Sequence, residues 1–428
     1  MKLSGAALLL SSTSLAFYSE PQTPLDAPLP AAAAESSSSS SAPSYRDELV
    51  SLHKSLVEIS SVTYSENAVG RFLVEYLTAR DFTAELQFLP PSNDASGGGG
   101  HGDGKPRFNV LAWPGPSRHP APRVLLTSHI DTVPPHIPYS RTDEVPTADT
   151  VIAGRGSVDA KASVAAQVVA LAELLASGRV ARDAVMLLFV VGEERSGDGM
   201  RFFSDSVAAL SPSRGGSGFK AAIFGEPTEG KLACGHKGFF GCEITARGKA
   251  GHSGYPWLGK SATEVLMRAL VKILDTDLGS SEGFGNTTVN VGTIEGGVAP
   301  NVISEVAVAR IAGRVAIGPE DDGGRIVTER VKDVLASVDE DAFEVDCHNG
   351  YGVVECACDV PGFETDTMNY GTDVPNFKGN HTRYLYGPGS ILVAHGADEA
   401  IELGDLEAGV ENFKKLILHA VKEDVGEL

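Results

Sequence analysis

The stretch 184-AVMLLFVVGEERSGDG-199 runs eight apolar residues straight into a turn rich in glycine and acid. An uninterrupted apolar run of that length fits a strand buried on both faces, as found where helices cover both sides of a sheet. Two further runs repeat the pattern: 123-RVLLTS-128 leads into 128-SHIDTVP-134, and 220-KAAIFG-225 leads into 225-GEPTE-229. Between 123–128 and 184–191, Lys161–Ser177 reads as a long helix closed by Gly178, a residue suited to the left-handed turn past a helix end. This alternation predicts an α/β fold with a mostly parallel sheet and helices on both faces.

Upstream, Ser44-x-x-Asp47 reads as an acidic capping box opening a helix with Leu49, Leu52, Leu56 and Ile59 on one face, and 67–80 reads as a second helix. Residues 95–105 are expected to form a flexible glycine-rich surface loop, with His101 solvated. From about Lys237 the rhythm changes. Strand 240–248, helix 262–275, strands 287–296 and 304–315, helix 323–337 and strand 343–349 give β-α-β-β-α-β, a ferredoxin-like insertion. The chain returns through 383-RYLYGPG-389 and 391-ILVAHG-396 to a helix over 406–421.

At 428 residues the chain exceeds one simple core, and its 42% hydrophobic and 21% charged content is that of a soluble globular protein. A net charge of −21 argues against nucleic acid or an anionic membrane surface as a partner. Lys2, the apolar run from Gly5 to Tyr18 and Ser14-Leu15-Ala16 read as a signal peptide over 1–17, too short to span a bilayer. The Pro-, Ala- and Ser-rich segment 18–44 is expected to be a disordered linker. Sequons at Asn286 and Asn380 fit secretion. Five cysteines leave at least one thiol free or paired outside the chain, and Cys356-x-Cys358 has the wrong spacing for a zinc knuckle.

The segment 252-HSGYPWLGKSA-262 contains Gly254-x-x-x-x-Gly259-Lys260-Ser261, the pattern of a phosphate-cradling loop. Such a loop follows a strand directly and offers successive backbone N–H groups. Here residues 249–253 separate strand from loop, and Pro256 has no N–H to give. The segment therefore reads as a strand-to-helix connection with Ser261 as helix cap, and no nucleotide partner is expected.

Each of the three apolar strands ends in histidine or carboxylates: His129 and Asp131, Glu193 and Glu194, and Glu226. Asp159 lies at the start of the long helix, and His395 lies in 387-GPGSILVAHGADE-399. Singly these are a hydrogen-bonded strand-end histidine, a solvated acidic pair and an ordinary helix cap. Jointly they are harder to dismiss, because buried strands leading repeatedly into acids face severe desolvation unless cations neutralise them. Two histidines and three carboxylates are a donor set that suits zinc.

From about Tyr45 onward the sequence resembles the co-catalytic zinc amidohydrolases and peptidases that include glutamate carboxypeptidases, aminoacylases, acetylornithine deacetylases and succinyl-diaminopimelate desuccinylases. The likeness rests on 128-SHIDTVP-134, 154-GRGSVD-159, 192-GEE-194, 225-GEPT-228 and 387-GPG-389 with His395, in that order. It implies two zinc ions bridged by Asp159, one also held by His129 and Glu226, the other by Glu194 and His395. Glu193 would be the general base and then the acid for the leaving amine. Neighbours on a strand point opposite ways, so a turn must bring both Glu193 and Glu194 to the site. Asp131, on the same side of an extended chain as His129, would orient that imidazole. A cis Asp159–Ala160 peptide is also implied.

In the insertion, the resemblance implies that His252 polarises the scissile carbonyl, often from the partner subunit of a homodimer. Asn301 and Arg314 would hold the substrate carboxylate, Arg314 through its planar fork, and Gly389 would offer backbone contact. The expected division is a catalytic domain over 45–237 and 353–428, with a lid or dimerisation domain over 238–352. The implied function is a secreted carboxypeptidase-type exopeptidase acting on a peptide bond next to a free carboxylate. The alternative is a deacylase of N-acyl amino acids with the same mechanism. Glu193 and the complete ligand set argue against a non-catalytic protein that kept the fold.

Overall fold

A computed structural model describes residues 42–90, 102–116, 122–210 and 218–422. The expected signal peptide, nearly all of the linker and His101 lie outside the described residues.

Helix α1 (Arg46–Glu58) buries Leu49, Leu52 and Leu56 along one face. The expected capping box does not form: Tyr45 precedes the helix and no side chain caps it. A backbone turn takes its place, with the Arg46 N–H donating to the Pro43 carbonyl (3.1 Å). Helix α2 (Asn67–Thr78) leads to strands β1 (Phe82–Phe88) and β2 (Phe108–Pro114), which the sequence reading missed. Then come β3 (Val124–His129), helix α3 (Lys161–Ala176), β4 (Val185–Val190), helix α4 (Asp198–Leu210), β5 (Ala221–Phe224) and β6 (Leu232–His236).

The insertion follows as β7 (Gly238–Arg247), α5 (Ala262–Leu274), β8 (Thr288–Gly296), β9 (Val306–Val315), α6 (Gly323–Val338) and β10 (Phe343–Tyr351). Its four strands form an antiparallel sheet in the order β8-β9-β7-β10, the ferredoxin-like arrangement expected. Strand β9 alternates exposed and covered residues along its length, and Phe240, Ile244, Leu266, Leu270, Val327 and Val331 fill a core of their own. Ser261 caps α5 by accepting from the Glu264 N–H (3.4 Å), and Lys260 is ion-paired with Asp339. The apparent phosphate loop is thus a helix entry.

The chain closes with β11 (Val354–Glu355), β12 (Thr365–Met368), β13 (Thr382–Leu385) and α7 (Leu403–Lys422). The nine-stranded sheet runs β1-β2-β4-β3-β5-β13-β6-β11, with β12 also on β6. Its centre, β4-β3-β5-β13, is parallel throughout. Alternation along β4 explains the two covered faces: Val185, Leu187 and Phe189 join the core built with α1, α3 and α7, while Met186, Leu188 and Val190 pack with Met200 and Phe203 of α4. The apolar-looking 391-ILVAHG-396 forms successive turns rather than a strand, with Leu392 86% exposed. Among the described residues no helix is long and apolar enough to cross a membrane. Asn286 and Asn380 are both exposed.

Two disulfides form, Cys234–Cys358 and Cys242–Cys347, leaving Cys356 free. Cys242 and Cys347 stand directly opposite each other on β7 and β10, 105 residues apart in sequence. Closing a loop of that size restricts the unfolded chain, so the double substitution Cys242→Ala/Cys347→Ala should cost about 2–5 kcal/mol. Urea unfolding measures it, and an unchanged midpoint would refute the structural role of this bridge.

Candidate metal centre

The three central strands β4, β3 and β5 are parallel neighbours, so their carboxyl ends share one edge of the sheet. His129 is the last residue of β3, while Glu226 and the 192–194 turn follow β5 and β4 within a few residues. A strand alone would send Glu193 and Glu194 to opposite sides; a turn at Gly192 (φ +81°) redirects both. Asp131 holds this turn. Its buried carboxylate accepts from the N–H groups of Gly192 (2.9 Å), Glu193 (3.1 Å) and Glu194 (3.3 Å), and from the Thr63 hydroxyl (2.8 Å). Arg107 braces the outside, pairing with Glu66 (2.9 Å) and Asp198 (2.9 Å). A side chain at position 192 would collide with it, since a Cβ there would lie 2.5 Å from Arg107 Nη2.

Asp131 also meets His129, chiefly through its backbone. His129 Nδ1 donates to the backbone carbonyl of Asp131 (3.0 Å), while its distance to the Asp131 carboxylate is 3.6 Å. The carbonyl fixes the tautomer because the carboxylate is committed to the turn. An imidazole donating from Nδ1 presents its Nε2 lone pair, which lies 3.0 Å from Asp159 Oδ1 and 3.7 Å from Glu226 Oε2. The other Asp159 oxygen lies 3.2 Å from His395 Nε2, which is 3.0 Å from Glu194 Oε2. Two triplets result, His129–Asp159–Glu226 and Asp159–Glu194–His395, sharing one carboxylate. The Asp159–Ala160 peptide that begins the next helix is cis.

These spacings fit metal ions. Tetrahedral ligands about 2.0–2.1 Å from zinc stand roughly 3.3 Å from one another. The charges argue the same way. Burial pushes Glu226 up to about 7 and raises Glu193 and Glu194 as well, the Glu193 carboxyl further under the charge of Glu226. Hydrogen bonds to Asp159 and Glu194 push His395 up to about 10. Asp373, another buried carboxylate that acts electrostatically on Glu193 and Glu226, is pushed up to about 6 by burial. Two imidazoles cannot balance so many acids, and divalent cations can.

Comparison with known proteins identifies the family. The chain is 57% identical over 392 residues to an M20 domain-containing peptidase of Sordaria macrospora, covering 89% of this chain and 86% of that one. The chain belongs to the M20 peptidase family. It is 43% identical over 410 residues to a probable carboxypeptidase of Arthroderma otae, covering 88% and 87% of the two chains. A peptidase dimerisation domain model matches residues 234–341, and a model of peptidase family M28 matches 109–215. Among solved structures, an M20 metallo-carboxypeptidase of Sulfolobus solfataricus superimposes with a TM-score of 0.65 at 15% identity, over 88% of this chain and 100% of that one. A dinuclear metal-binding M20 peptidase of Bacillus subtilis gives 0.57 at 14%, over 89% and 98%. This M20 protein is accordingly a metallopeptidase.

A buried ion pair missed in the sequence supports the metal centre of this M20 peptidase. Glu399 accepts from the N–H groups of Gly156 (2.9 Å), Val158 (3.1 Å) and Asp159 (3.2 Å) and pairs with Arg155 (2.7 Å). Arg155 also donates to the carbonyls of His395 (3.2 Å) and Gly396 (3.0 Å). One pair thus ties the loop carrying Asp159 to the loop carrying His395. Both residues sat in the stretches 154–163 and 387–399, where a charge bracketing a ligand was the available signal.

The residues expected from the insertion are not gathered with the cluster. His252 is exposed on the short pair Gly251–His252 with Val302–Ile303; its Nδ1 accepts from the Gly254 N–H (3.0 Å), and its ring lies against Tyr255. The neighbouring Asn301 uses its carbonyl to accept from the Ser253 N–H (3.1 Å). Arg314 stands exposed at the other end of the sheet, its guanidinium 5.9 Å from the Phe239 ring centroid. Gly389 is buried beside Val158 and Ile401, with its carbonyl taken by the Glu229 N–H (3.0 Å).

Glu399→Gln should leave the Arg155 guanidinium buried without its counter-charge, costing about 3–5 kcal/mol. Urea unfolding of the metal-free protein isolates this from ligand loss. A change within about 0.5 kcal/mol would show that the pair does not hold the two loops.

Proposed function

We propose that this M20 peptidase is a secreted dinuclear zinc carboxypeptidase that hydrolyses the peptide bond next to a free C-terminal carboxylate. The observation that carries this reading is the pair of ligand triplets sharing Asp159, with Glu193 on the turn beside Glu194. His129, Asp159 and Glu226 would hold one zinc; Asp159, Glu194 and His395 would hold the other. When bound, the metals supply Lewis acidity, polarising the scissile carbonyl and acidifying the attacking water.

Glu193 takes a proton from that water as its oxygen bonds to the carbonyl carbon, and returns it to the nitrogen as the C–N bond breaks. Its place on the turn beside Glu194 lets one carboxyl serve both proton transfers. Asp131 positions Glu193 through the turn and His129 through its carbonyl. Arg314 receives the substrate carboxylate, and Gly389, its carbonyl held by the Glu229 N–H, would offer only its own N–H to substrate. The likeness to probable carboxypeptidases favours a peptide substrate over an N-acyl amino acid.

Residues 238–352 would act as lid and dimerisation domain, bringing His252 and Asn301 to a partner subunit's site. Support comes from the dimerisation-domain match and from α5, which exposes Met267, Val271 and Leu274 at helical spacing. Two disulfides favour an oxidising compartment, and the exposed Asn286 and Asn380 would carry glycans there.

Glu193→Gln should lower kcat by about 10²–10⁴ while leaving metal content unchanged. Metal analysis beside a peptidase assay checks this, and full activity in the variant would remove Glu193 from the base role. Chelation should abolish activity and zinc restore it. Activity on N-acetyl amino acids with none on blocked dipeptides would turn the assignment to deacylase.

A further inference from the structure

The outer face of the insertion's sheet carries a row of side chains that the proposed mechanism uses only in part. Register pairs Arg314 on β9 with Phe239 on β7, and Phe239 with Tyr351 on β10. Residues directly opposite on antiparallel strands project to the same face. That face points away from α5 and α6, because Phe240, Cys242 and Ile244 on β7 line the helix-covered core and the alternate positions turn outward. Arg314, Phe239 and Tyr351 therefore stand side by side at one end of the sheet.

There the chain around Gly371 crosses them. A Cβ on residue 371 would lie 2.4 Å from Tyr351 Oη and 3.3 Å from Arg314 Nη1. The phenol and the guanidinium thus converge over a backbone that only glycine leaves open. Two residues further on, Asp373 is one of the buried carboxylates of the metal centre. The Tyr351 phenol feels both sides of the site: burial and then Glu193 raise its pKa, while Arg314 acts to lower it. It remains a protonated donor at neutral pH.

Neither head is consumed by the protein. Arg310, on the same face, pairs with Glu243 (2.8 Å) and Glu295 (3.4 Å), whereas Arg314 has no ion-pair partner among the described residues. The Tyr351 ring is fixed edge-on against His236 (6.4 Å between centroids), which is held by the Thr372 hydroxyl (3.1 Å) and the Lys237 carbonyl (2.8 Å). Its hydroxyl makes no hydrogen bond among the described residues, although the ring is positioned against His236. A fixed donor beside an unpaired cation is a complementary site for one carboxylate.

We propose that Tyr351 is a substrate-binding residue whose hydroxyl donates to one oxygen of the substrate's free carboxylate while the Arg314 guanidinium engages the other. This rests on the reading of Arg314 as the carboxylate-binding residue and adds a neutral donor that sets direction. An uncharged C-terminal amide would lose the attraction of Arg314 and offer one oxygen where the carboxylate offers two, turning an NH₂ group toward one of the donors.

The test uses the metal-loaded enzyme and one blocked dipeptide in two forms, free acid and C-terminal amide. Tyr351→Phe keeps the ring against His236 and removes only the hydroxyl. It should raise KM for the acid about tenfold or more with kcat within about twofold, and raise the amide's KM by a smaller factor. In an Arg314→Ala background the same change should have a smaller effect, because both groups act on one carboxylate. A wild-type preference for the acid that Tyr351→Phe leaves intact, or equal losses on acid and amide, would overturn the assignment of Tyr351 alone. A wild type indifferent to amidation would instead sink the carboxylate reading, and this proposal with it.

Discussion

Four hydrogen bonds converge on the buried carboxylate of Asp131, and the geometry of the metal centre depends on them. Burial alone would raise this carboxyl; His129, Thr63 and the backbone N–H groups outweigh it and hold the group below its usual range. The anion in turn satisfies three consecutive N–H groups that would otherwise be orphaned where β4 ends. Charge-assisted bonds of this kind contribute about 1.5–3 kcal/mol each, enough to fix a turn that the strand direction does not favour. Through that turn Asp131 places Glu193 and Glu194, and through its carbonyl it fixes His129. One residue therefore coordinates contributions from two adjacent strands.

The second half of the centre is assembled differently. Asp159 and His395 come from loops 236 positions apart, and the Arg155–Glu399 pair joins them. A buried ion pair is weak evidence for stability, because desolvation offsets most of its attraction. Its value here is positional. Glu399 is saturated by three N–H groups of the Asp159 loop, and Arg155 reaches the carbonyl of His395, whose backbone sits in the left-handed region (φ +64°). An unusual backbone conformation persists where its surroundings over-determine it.

What the sequence made legible follows from these two constructions. Strands β3, β4 and β5 were readable because burial on both faces makes them uniformly apolar. The edge-side β1 was not, since 82-FTAELQF-88 mixes polar and apolar residues as a half-covered strand must. Helix α4 was hidden behind the 192–197 turn, which looks like loop. The candidate ligands stood out because His129, Glu194 and Glu226 end or follow apolar strands and Asp159 precedes a helix, whereas His395 lies among turns. Arg155 and Glu399 did not stand out, because a pair 244 residues apart looks in sequence like two surface charges. The spacing of His129 and Asp131 correctly put both on one side of the chain, but it could not tell carbonyl from carboxylate, a choice made by the partner turn.

The length of β7 constrains how the insertion can serve the chemistry. Arg314 pairs with Phe239 near the start of that strand, whereas His252 and Asn301 lie beyond Arg247 at its end. Eight residues of extended chain separate Phe239 from Arg247, roughly 27 Å. One blocked dipeptide cannot bridge that span, so under the proposed function the two groups would not act on one substrate from the same subunit. Arg314 meets Gly371 of its own chain, with Tyr351 beside it, and the proposed function would give it to that subunit's own site. His252 and Asn301, whose partners lie within the insertion, are then free to reach a different one. The exposed stripe on α5 gives a second copy a surface to meet. Under the proposed function, Asn301 and Arg314 would share one carboxylate only if they came from two chains, so that reading makes dimerisation a condition of the full site.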